Sequence, residues 1–337
     1  MSGQGEFENV GIMLSELTNT TLLYFKQTSS PFSLGLPFPR SKNENLNLND
    51  MVVNRADIVF GPLIGSGNFG NVYIGKWHSI DVAVKCLHAS VENSTKAVEQ
   101  EAQTMASVLH EHIVKLLAVN ISETPMLLVS ELMNEGSLLN CLDELVFCNR
   151  DLLDILRQVS CAMAYLECEH VLHRDLGAAN CLVHRDHPSA PLTIKVADFG
   201  LSAALDADGQ YASTSGKSVP IRWTAPEALL SKRFSNKSDV WSFGVLAFEV
   251  FSLGGEPYAN FTHFEVWRFL DSGNRLTLQQ LHALQRRDGA KERRSDFDNL
   301  ELPIGYWNAL IDDCWKWKPE DRPNFGDILK LIVAFLE

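Results

Sequence analysis

The sequence predicts an α+β fold in two lobes, a small β-rich lobe with one main helix followed by a larger, mostly α-helical lobe. Three observations predict it. Between residues 58 and 87 the chain reads "IVFGPLIG", "NVYIGKW" and "DVAVKCL", short β-branched runs separated by glycine-containing turns, as successive antiparallel strands require. From about residue 137 the apolar residues recur over helix-length windows, notably "DLLDILRQVSCAMAYLEC" and "SDVWSFGVLAFEVFSL". No internal repeat with a period of about 20–50 residues is visible, which sets repeat architectures aside.

Residues 1–50 stand apart from the rest of the chain. The stretch "QTSSPFSLGLPFPRSKNENLNLND" is rich in Ser, Pro, Asn and Leu, with Pro31, Pro37 and Pro39 blocking regular structure, so it reads as a linker. Upstream, Leu14, Leu17 and Leu22 fall on one side of a short helical pattern. A globular domain is expected over 51–337. Its order is three strands, a helix over about 92–109, two further strands in "IVKLLAV" and "PMLLVSE", and then mainly helices.

Composition narrows the function classes. The chain has 337 residues, 45% of them apolar, enough to bury a sizeable core. A formal net charge of -13 argues against a nucleic-acid or anionic-membrane binder. Seven cysteines without a CxxC pair read as reduced thiols of the cytoplasm. No apolar run approaches the ~18–20 residues of a membrane span, and the N-terminus lacks the basic region of a signal peptide. The expectation is a cytoplasmic chain; the intracellular portion of a membrane receptor fits the same residues.

The first chemical constellation is "IGSGNFGNV", with Gly65, Gly67 and Gly70 followed by Val72. A dinucleotide site would need these glycines to open a helix, whereas here "NVYIGKW" continues as a strand. A glycine-rich hairpin lets backbone approach phosphate oxygens without side chains in the way. Lys85 then ends "VAVK", an apolar run in which an ammonium needs an anionic partner. Glu101, on the predicted helix, is the candidate; Glu99 faces elsewhere.

The tripeptide His-Arg-Asp occurs twice, at 173–175 and 184–186. Only the first copy is followed at +5 by Asn180 and then by Asp198 in "ADFG". Two separated oxygen donors suit Mg²⁺ when phosphates supply its other ligands. Asp175 beside them can orient a hydroxyl and accept its proton during phosphoryl transfer. The +5 residue of the second copy is Pro191, which has no carboxamide, and "HPSAP" reads as a turn. That copy is expected on a surface loop.

In this order and spacing the residues resemble the protein kinase family from about 57 to 337, adding Ala225-Pro226-Glu227, Asp239 and Arg322 to those above. The resemblance implies a bilobal protein kinase fold, with the N-lobe over about 51–130, the hinge over about 131–136 and the C-lobe over about 137–337. It makes ATP and Mg²⁺ the expected cofactors. Lys85 would hold the phosphates, Glu101 orient Lys85, Asn180 and Asp198 bind metal, and Asp175 receive the substrate hydroxyl. Ile64, Gly65, Gly67, Gly70, Val72, Ala83, Lys85, Ser130, Glu131, Met133 and Leu182 would line the nucleotide site. Ser130 takes the gatekeeper place before the hinge, where a small residue leaves a pocket behind the adenine. Met105, Leu116, His173 and Phe199 align with the stack joining the lobes of an active kinase, and Arg322 would pair with Glu227.

Within the family, "VPIRWTAPEAL" looks like the substrate loop of tyrosine kinases, so Pro220 and Trp223 would shape the platform for a tyrosine hydroxyl. The resemblance implies a protein-tyrosine kinase acting in signalling on tyrosine-bearing proteins. Tyr211 is the expected regulatory site, Arg174 its phosphate partner, and trans-autophosphorylation would bring self-association or adaptor contacts. Two departures stand out. Gly177-Ala178-Ala179 lacks the arginine that tyrosine kinases carry in this loop, and Ala203 replaces another in "LSA". A nucleotide-binding scaffold of the pseudokinase type is the alternative that Gly177 favours. The loss at Ala203, with acidic Asp206 and Asp208 nearby, predicts that phosphorylation of Tyr211 activates weakly. Two insertions are expected, "HRDHPSAP" and a charged stretch at 285–296.

Overall fold

The computed structural model describes residues 48–67, 70–87, 94–206, 208–213, 219–285 and 306–337, the side chains of 94–97 and 285 excepted. The N-terminal linker up to residue 47, its short helix and almost all of the charged 285–296 stretch lie outside the described residues.

The small lobe is built on a five-stranded antiparallel sheet in the order β1-β2-β3-β5-β4. Its strands are β1 Ile58–Gly67, β2 Gly70–Trp77, β3 Ile80–Leu87, β4 Leu116–Asn120 and β5 Leu127–Glu131. The β-branched residues of β3 alternate as a pleated strand requires, with Val82 and Val84 fully buried. Helix α1, Ser94–Ser107, turns Val98, Ala102, Met105 and Ala106 into the core at helical spacing. Glu101 shares that buried face, while Glu99 is exposed, as the helical phase requires.

Two boundaries differ from expectation. Ile113 and Val114, predicted as the start of β4, instead join the strand that leads to Asp198: the Val114 N–H donates to Val196 O at 2.9 Å. The packed domain also begins before residue 51. Leu48 and Met51 are buried in a 3₁₀ turn, and the Val53 N–H donates to Val119 O on β4 at 2.9 Å.

Beyond β5 come β6 Gly136–Ser137, α2 Leu138–Glu144, α3 Asn149–Cys168 and β7 Val171–Leu172. The strands β8 Cys181–His184 and β9 Thr193–Val196 come next, then the two-residue strands β10 Ala203–Ala204 and β11 Tyr211–Ala212. The remainder is α4 Pro226–Ser231, β12 Arg233–Phe234, α5 Asn236–Phe251, α6 His263–Asp271, α7 Leu278–Gln285 and α8 Phe325–Leu336. Every residue of α5 from Ser238 to Phe251 is buried, so this helix is the pillar of the lobe. Helix α3 lies against it and against α8. The β6-β8-β9 sheet sits on this helical base, with β8 and β9 carrying Asn180 and Asp198 at their ends.

Arg322 and Glu227 form the expected pair, bidentate at 2.7 and 2.8 Å, with Arg322 fully buried and Glu227 partly exposed. Arg322 also donates to the carbonyls of Lys316, Lys237 and Trp317, so a fully buried guanidinium has its donors answered. All seven cysteines are free thiols. No helix among the described residues is long and apolar enough to cross a membrane.

Candidate active site

The site lies between the sheet and the helical base. Lys85 Nζ stands 2.7 Å from Glu101 Oε1 and 3.1 Å from Asp198 Oδ1, bringing together three residues 16 and 113 positions apart along the chain. Burial pulls the Lys85 pKa down, but the two carboxylates outweigh it and hold the ammonium above its usual range. Asp198 is pushed up by burial and pulled further down by Lys85, so it stays ionised. Gly200 is what lets them meet: a Cβ there would come within 3.1 Å of Asp198 Oδ1 and 3.3 Å of Glu101 Oε2.

Asp175 precedes a 3₁₀ turn that Asn180 ends, and Asn180 Nδ2 donates to Asp175 O at 2.7 Å. That bond orients the carboxamide, leaving its oxygen as the atom suited to a hard cation. Burial, then the neighbouring Asp198 charge, raises the Asp175 carboxyl to about 7. The loop is held from below by Asp239, which accepts the His173 and Arg174 N–H groups at 2.8 and 2.9 Å. Arg174 and Asp198 both adopt left-handed backbone, φ 68° and 60°, strain that these anchors sustain.

His173 meets Phe199 edge-on at 5.3 Å, and Phe199, Met105 and Leu116 belong to one contiguous core. Of the expected stack, His173 and Phe199 thus touch, Met105 and Leu116 share a core with Phe199, and the Lys85–Glu101 pair is formed.

The glycine loop is the β1–β2 hairpin, in which Gly65 pairs with Val72 and Gly67 with Gly70; its tip, residues 68 and 69, lies outside the described residues. The glycines differ in purpose. Gly70 has φ 153°, and a Cβ there would lie 2.1 Å from Cys86 O, so the fold itself requires glycine. At Gly67 a Cβ would meet nothing within 4 Å, so the protein's own packing makes no such demand. Open backbone above a lysine and two oxygen-donor residues is a donor set that fits a nucleotide triphosphate with Mg²⁺.

At the back of the site Ser130 pairs with Ala83 of β3 and Leu116 of β4. Met133 and Leu182 pack with Val114 and Ala197, one residue before Asp198. Ile64 is exposed at the mouth. Glu131 has a side-chain role that sequence reasoning missed: its carboxylate takes both oxygens to Lys195 Nζ, at 2.8 and 2.9 Å, and accepts the Lys115 N–H. The end of β5, where the hinge is expected, is thus tied to β9.

Arg174 donates to Leu201 O at 2.8 Å and to Ser213 Oγ at 3.4 Å, and its guanidinium lies 4.5 Å from the Tyr211 ring and 4.3 Å from the Phe234 ring. The expected partners meet, with the unmodified tyrosine ring filling the place over the cation. Asp206, exposed, accepts the Asp208 and Gln210 N–H groups within its own turn.

Pro220 O accepts the N–H groups of Trp223 and Thr224, which folds the loop expected to carry substrate into a turn. Trp223 Nε1–H donates to Glu249 Oε2 at 3.0 Å, and the same oxygen accepts the Ala178 N–H at 3.0 Å. Glu249, which sequence reasoning also missed, is 2% exposed, and burial raises its carboxyl to about 7. A lone carboxylate in the apolar run "VLAFEVF" was its only signal. Gly177 has its explanation here, since a Cβ would lie 3.1 Å from Trp223 Nε1.

The second His-Arg-Asp copy ends β8 on the surface, with Asp186 exposed. It clasps the chain after the hinge: Asn134 accepts the Arg185 N–H and donates to its carbonyl, while Arg185 pairs with Glu135 at 3.5 Å.

The fold, the paired lysine and the two loops carry the family signature, and comparison with known proteins agrees. Residues 58–287 match the profile of the protein tyrosine and serine/threonine kinase family. The chain belongs to that family, on its tyrosine-kinase side. It is 37% identical over 293 residues to the tyrosine-protein kinase transforming protein Abl of Abelson murine leukemia virus, covering 84% of this chain and 35% of the relative. It is 38% identical over 286 residues to human tyrosine-protein kinase ABL2, covering 82% and 21%, and 34% identical over 334 residues to rat tyrosine-protein kinase Fer, covering 97% and 36%. The chain spans about a third or less of the length of these relatives.

Proposed function

We propose that the chain is an ATP-dependent protein-tyrosine kinase domain, transferring the γ-phosphate of ATP to tyrosine hydroxyls of protein substrates. The observation that carries this reading is the convergence of Lys85, Glu101 and Asp198, within 3.1 Å of one another through Lys85 Nζ, beside Asp175 and Asn180. Lys85 positions the triphosphate and Glu101 fixes the lysine. Asp198 and the Asn180 carboxamide oxygen would hold Mg²⁺, which supplies charge neutralisation to the phosphates. Asp175 orients the tyrosine hydroxyl and takes its proton. Ile64, Val72, Ala83, Met133 and Leu182 border the adenine, with Ser130 and Glu131 at the hinge. Pro220 and Trp223 carry the substrate chain.

In this reading the kinase domain, expected over 51–337, also takes in the packed turn from Leu48, is hinged at 131–136, and is cytoplasmic or the cytoplasmic part of a receptor. The feature that favoured a scaffold without turnover, Gly177, is accounted for by the packing of Trp223. The test is radiolabelled ATP with a poly-Glu/Tyr substrate, comparing the wild type with Asp175→Asn. Label on tyrosine that disappears in the variant supports the proposal; label on serine, or none, overturns it.

A further inference from the structure

We propose, resting on the reading of this cleft as an adenine-nucleotide site, that Asn134 is a positioning residue: by gripping the second His-Arg-Asp copy it fixes the adenine end of the site and sets the affinity for nucleotide. The Asn134 carboxamide accepts the Arg185 N–H at 2.9 Å and donates to the Arg185 carbonyl at 2.7 Å. One planar amide thereby answers both polar groups of a single residue. Residues paired in an antiparallel ladder exchange bonds in the same way, through their backbones.

The exchange lengthens a ladder already present. β6 pairs with β8 through Gly136–Val183 and Ser137–Leu182, and the Glu135 N–H donates to Val183 O at 3.1 Å. Asn134 carries the pairing one step further, past the end of β8 at His184 to Arg185. The Arg185 side chain adds to it, standing 3.5 Å from Glu135 Oε1 and donating to Pro188 O at 3.2 Å. The inserted "HRDHPSAP" loop is therefore joined to the chain that leaves the hinge.

The grip falls between two residues that border the adenine in the proposed site. Met133 immediately precedes Asn134, Leu182 lies on β8, and the two pack with Val114 and Ala197. Holding Asn134 to Arg185 thus holds Met133 over Leu182. Asn134 spends both of its polar groups on Arg185, so its action on a nucleotide passes through Met133.

The tie from Glu131 to Lys195 makes the grip matter more. Leu132 and Met133 alone separate Glu131 from Asn134, and Lys195 lies on β9, the strand paired with β8. A two-residue span fixed at both ends to one pair of strands has little conformational freedom left to lose. Cutting one tie restores that freedom, and nucleotide binding must then pay the ordering cost. The cost falls at the base and leaves the phosphates aside, so ATP and ADP should weaken by the same factor.

The test measures binding of ATP and of ADP, each with Mg²⁺, to the purified full chain by calorimetry, beside KM for peptide. Asn134→Ala should raise both dissociation constants roughly fivefold, the scale of one net hydrogen bond, and leave KM for peptide unchanged. Asn134→Asp keeps the acceptor for the Arg185 N–H but loses the donor, so it too should weaken both nucleotides. Arg185→Ala leaves the gripped backbone in place and removes only a partly exposed ion pair and one side-chain bond, so it should cost less than about threefold. Asp186→Ala, exposed on the same loop, should leave both affinities unchanged. With the wild type binding nucleotide, unchanged affinity in both Asn134 variants, a loss confined to ATP, or a shift in KM for peptide overturns the proposal alone. A wild type that binds neither nucleotide overturns it together with the kinase reading.

Discussion

The indole N–H of Trp223 donates to the buried carboxylate of Glu249 across 3.0 Å. Because the same oxygen accepts the Ala178 N–H, one side chain of α5 ties the loop after Asp175, the proposed base, to the turn of Pro220 and Trp223, the proposed substrate platform. Gly177 permits this contact, so the residue that breaks the tyrosine-kinase pattern belongs to a local packing solution.

Glu249→Gln keeps one acceptor oxygen and removes the charge. With both bonds on one oxygen, the amide can keep them and lose their charge assistance, about 1 kcal/mol, which should cost roughly fivefold in kcat/KM. The loss should appear in KM for peptide and leave KM for ATP unchanged. Gly177→Ala, which places a Cβ 3.1 Å from Trp223 Nε1, should shift the same parameter in the same direction. Steady-state kinetics with each substrate varied in turn checks both, and a change confined to ATP would refute the coupling.

Tyr211, proposed as a regulatory site, meets Arg174 through its ring. The Arg174 guanidinium already sits 4.5 Å from it without phosphate, and Tyr211→Phe preserves that contact. This variant should lose less than about tenfold in kcat/KM, ~1.4 kcal/mol, while Tyr211→Ala should lose more by removing the cation–π contact. A larger loss in the Phe variant would mean that phosphorylation is required.

The raised Asp175 carboxyl sets a pH dependence. Its proton-accepting form is the ionised one, so kcat/KM should rise with pH through about 7 and fall roughly tenfold per unit well below it. For stability the sign reverses. A folded carboxyl at about 7 against an ordinary 3.8 means that the protonated form favours folding, and this contribution is lost as pH rises between those values. Asp175→Asn should therefore raise Tm more at pH 8 than at pH 4, as thermal unfolding at the two pH values will show.

Glu227→Ala leaves the fully buried Arg322 guanidinium without its carboxylate. Breaking such a pair costs about 3–5 kcal/mol, and the three carbonyls that Arg322 also reaches place the expected loss at the lower end. Urea unfolding measures it, and a cost below about 1 kcal/mol would contradict the assignment of this pair as a main brace.

Much of the site was legible because its residues announce themselves locally. The phase of α1 separates Glu101 from Glu99, and Pro191 separates the two His-Arg-Asp copies. Glu249 and Lys195 were not legible in the same way. Their partners lie 71, 26 and 64 positions away, and no local pattern encodes a contact of that range. The misplaced start of β4 has a similar cause. Ile113 and Val114 have strand-like side chains, but their backbone groups are taken by Val196, and composition does not say which strand a β-branched run will join.

The residues just ahead of β1 do more than lead into the sheet. β4 is the last strand in the sheet order, and Val53 closes along it while Asn120 Nδ2 returns a bond to Val53 O at 3.0 Å. A shortened chain cut by motif alone, at Asp57, would strip that cover and leave the rim of the sheet with open backbone groups, an invitation for a second molecule to add on. A cut that keeps this cover lies ahead of Leu48, well outside the glycines of the β1–β2 hairpin.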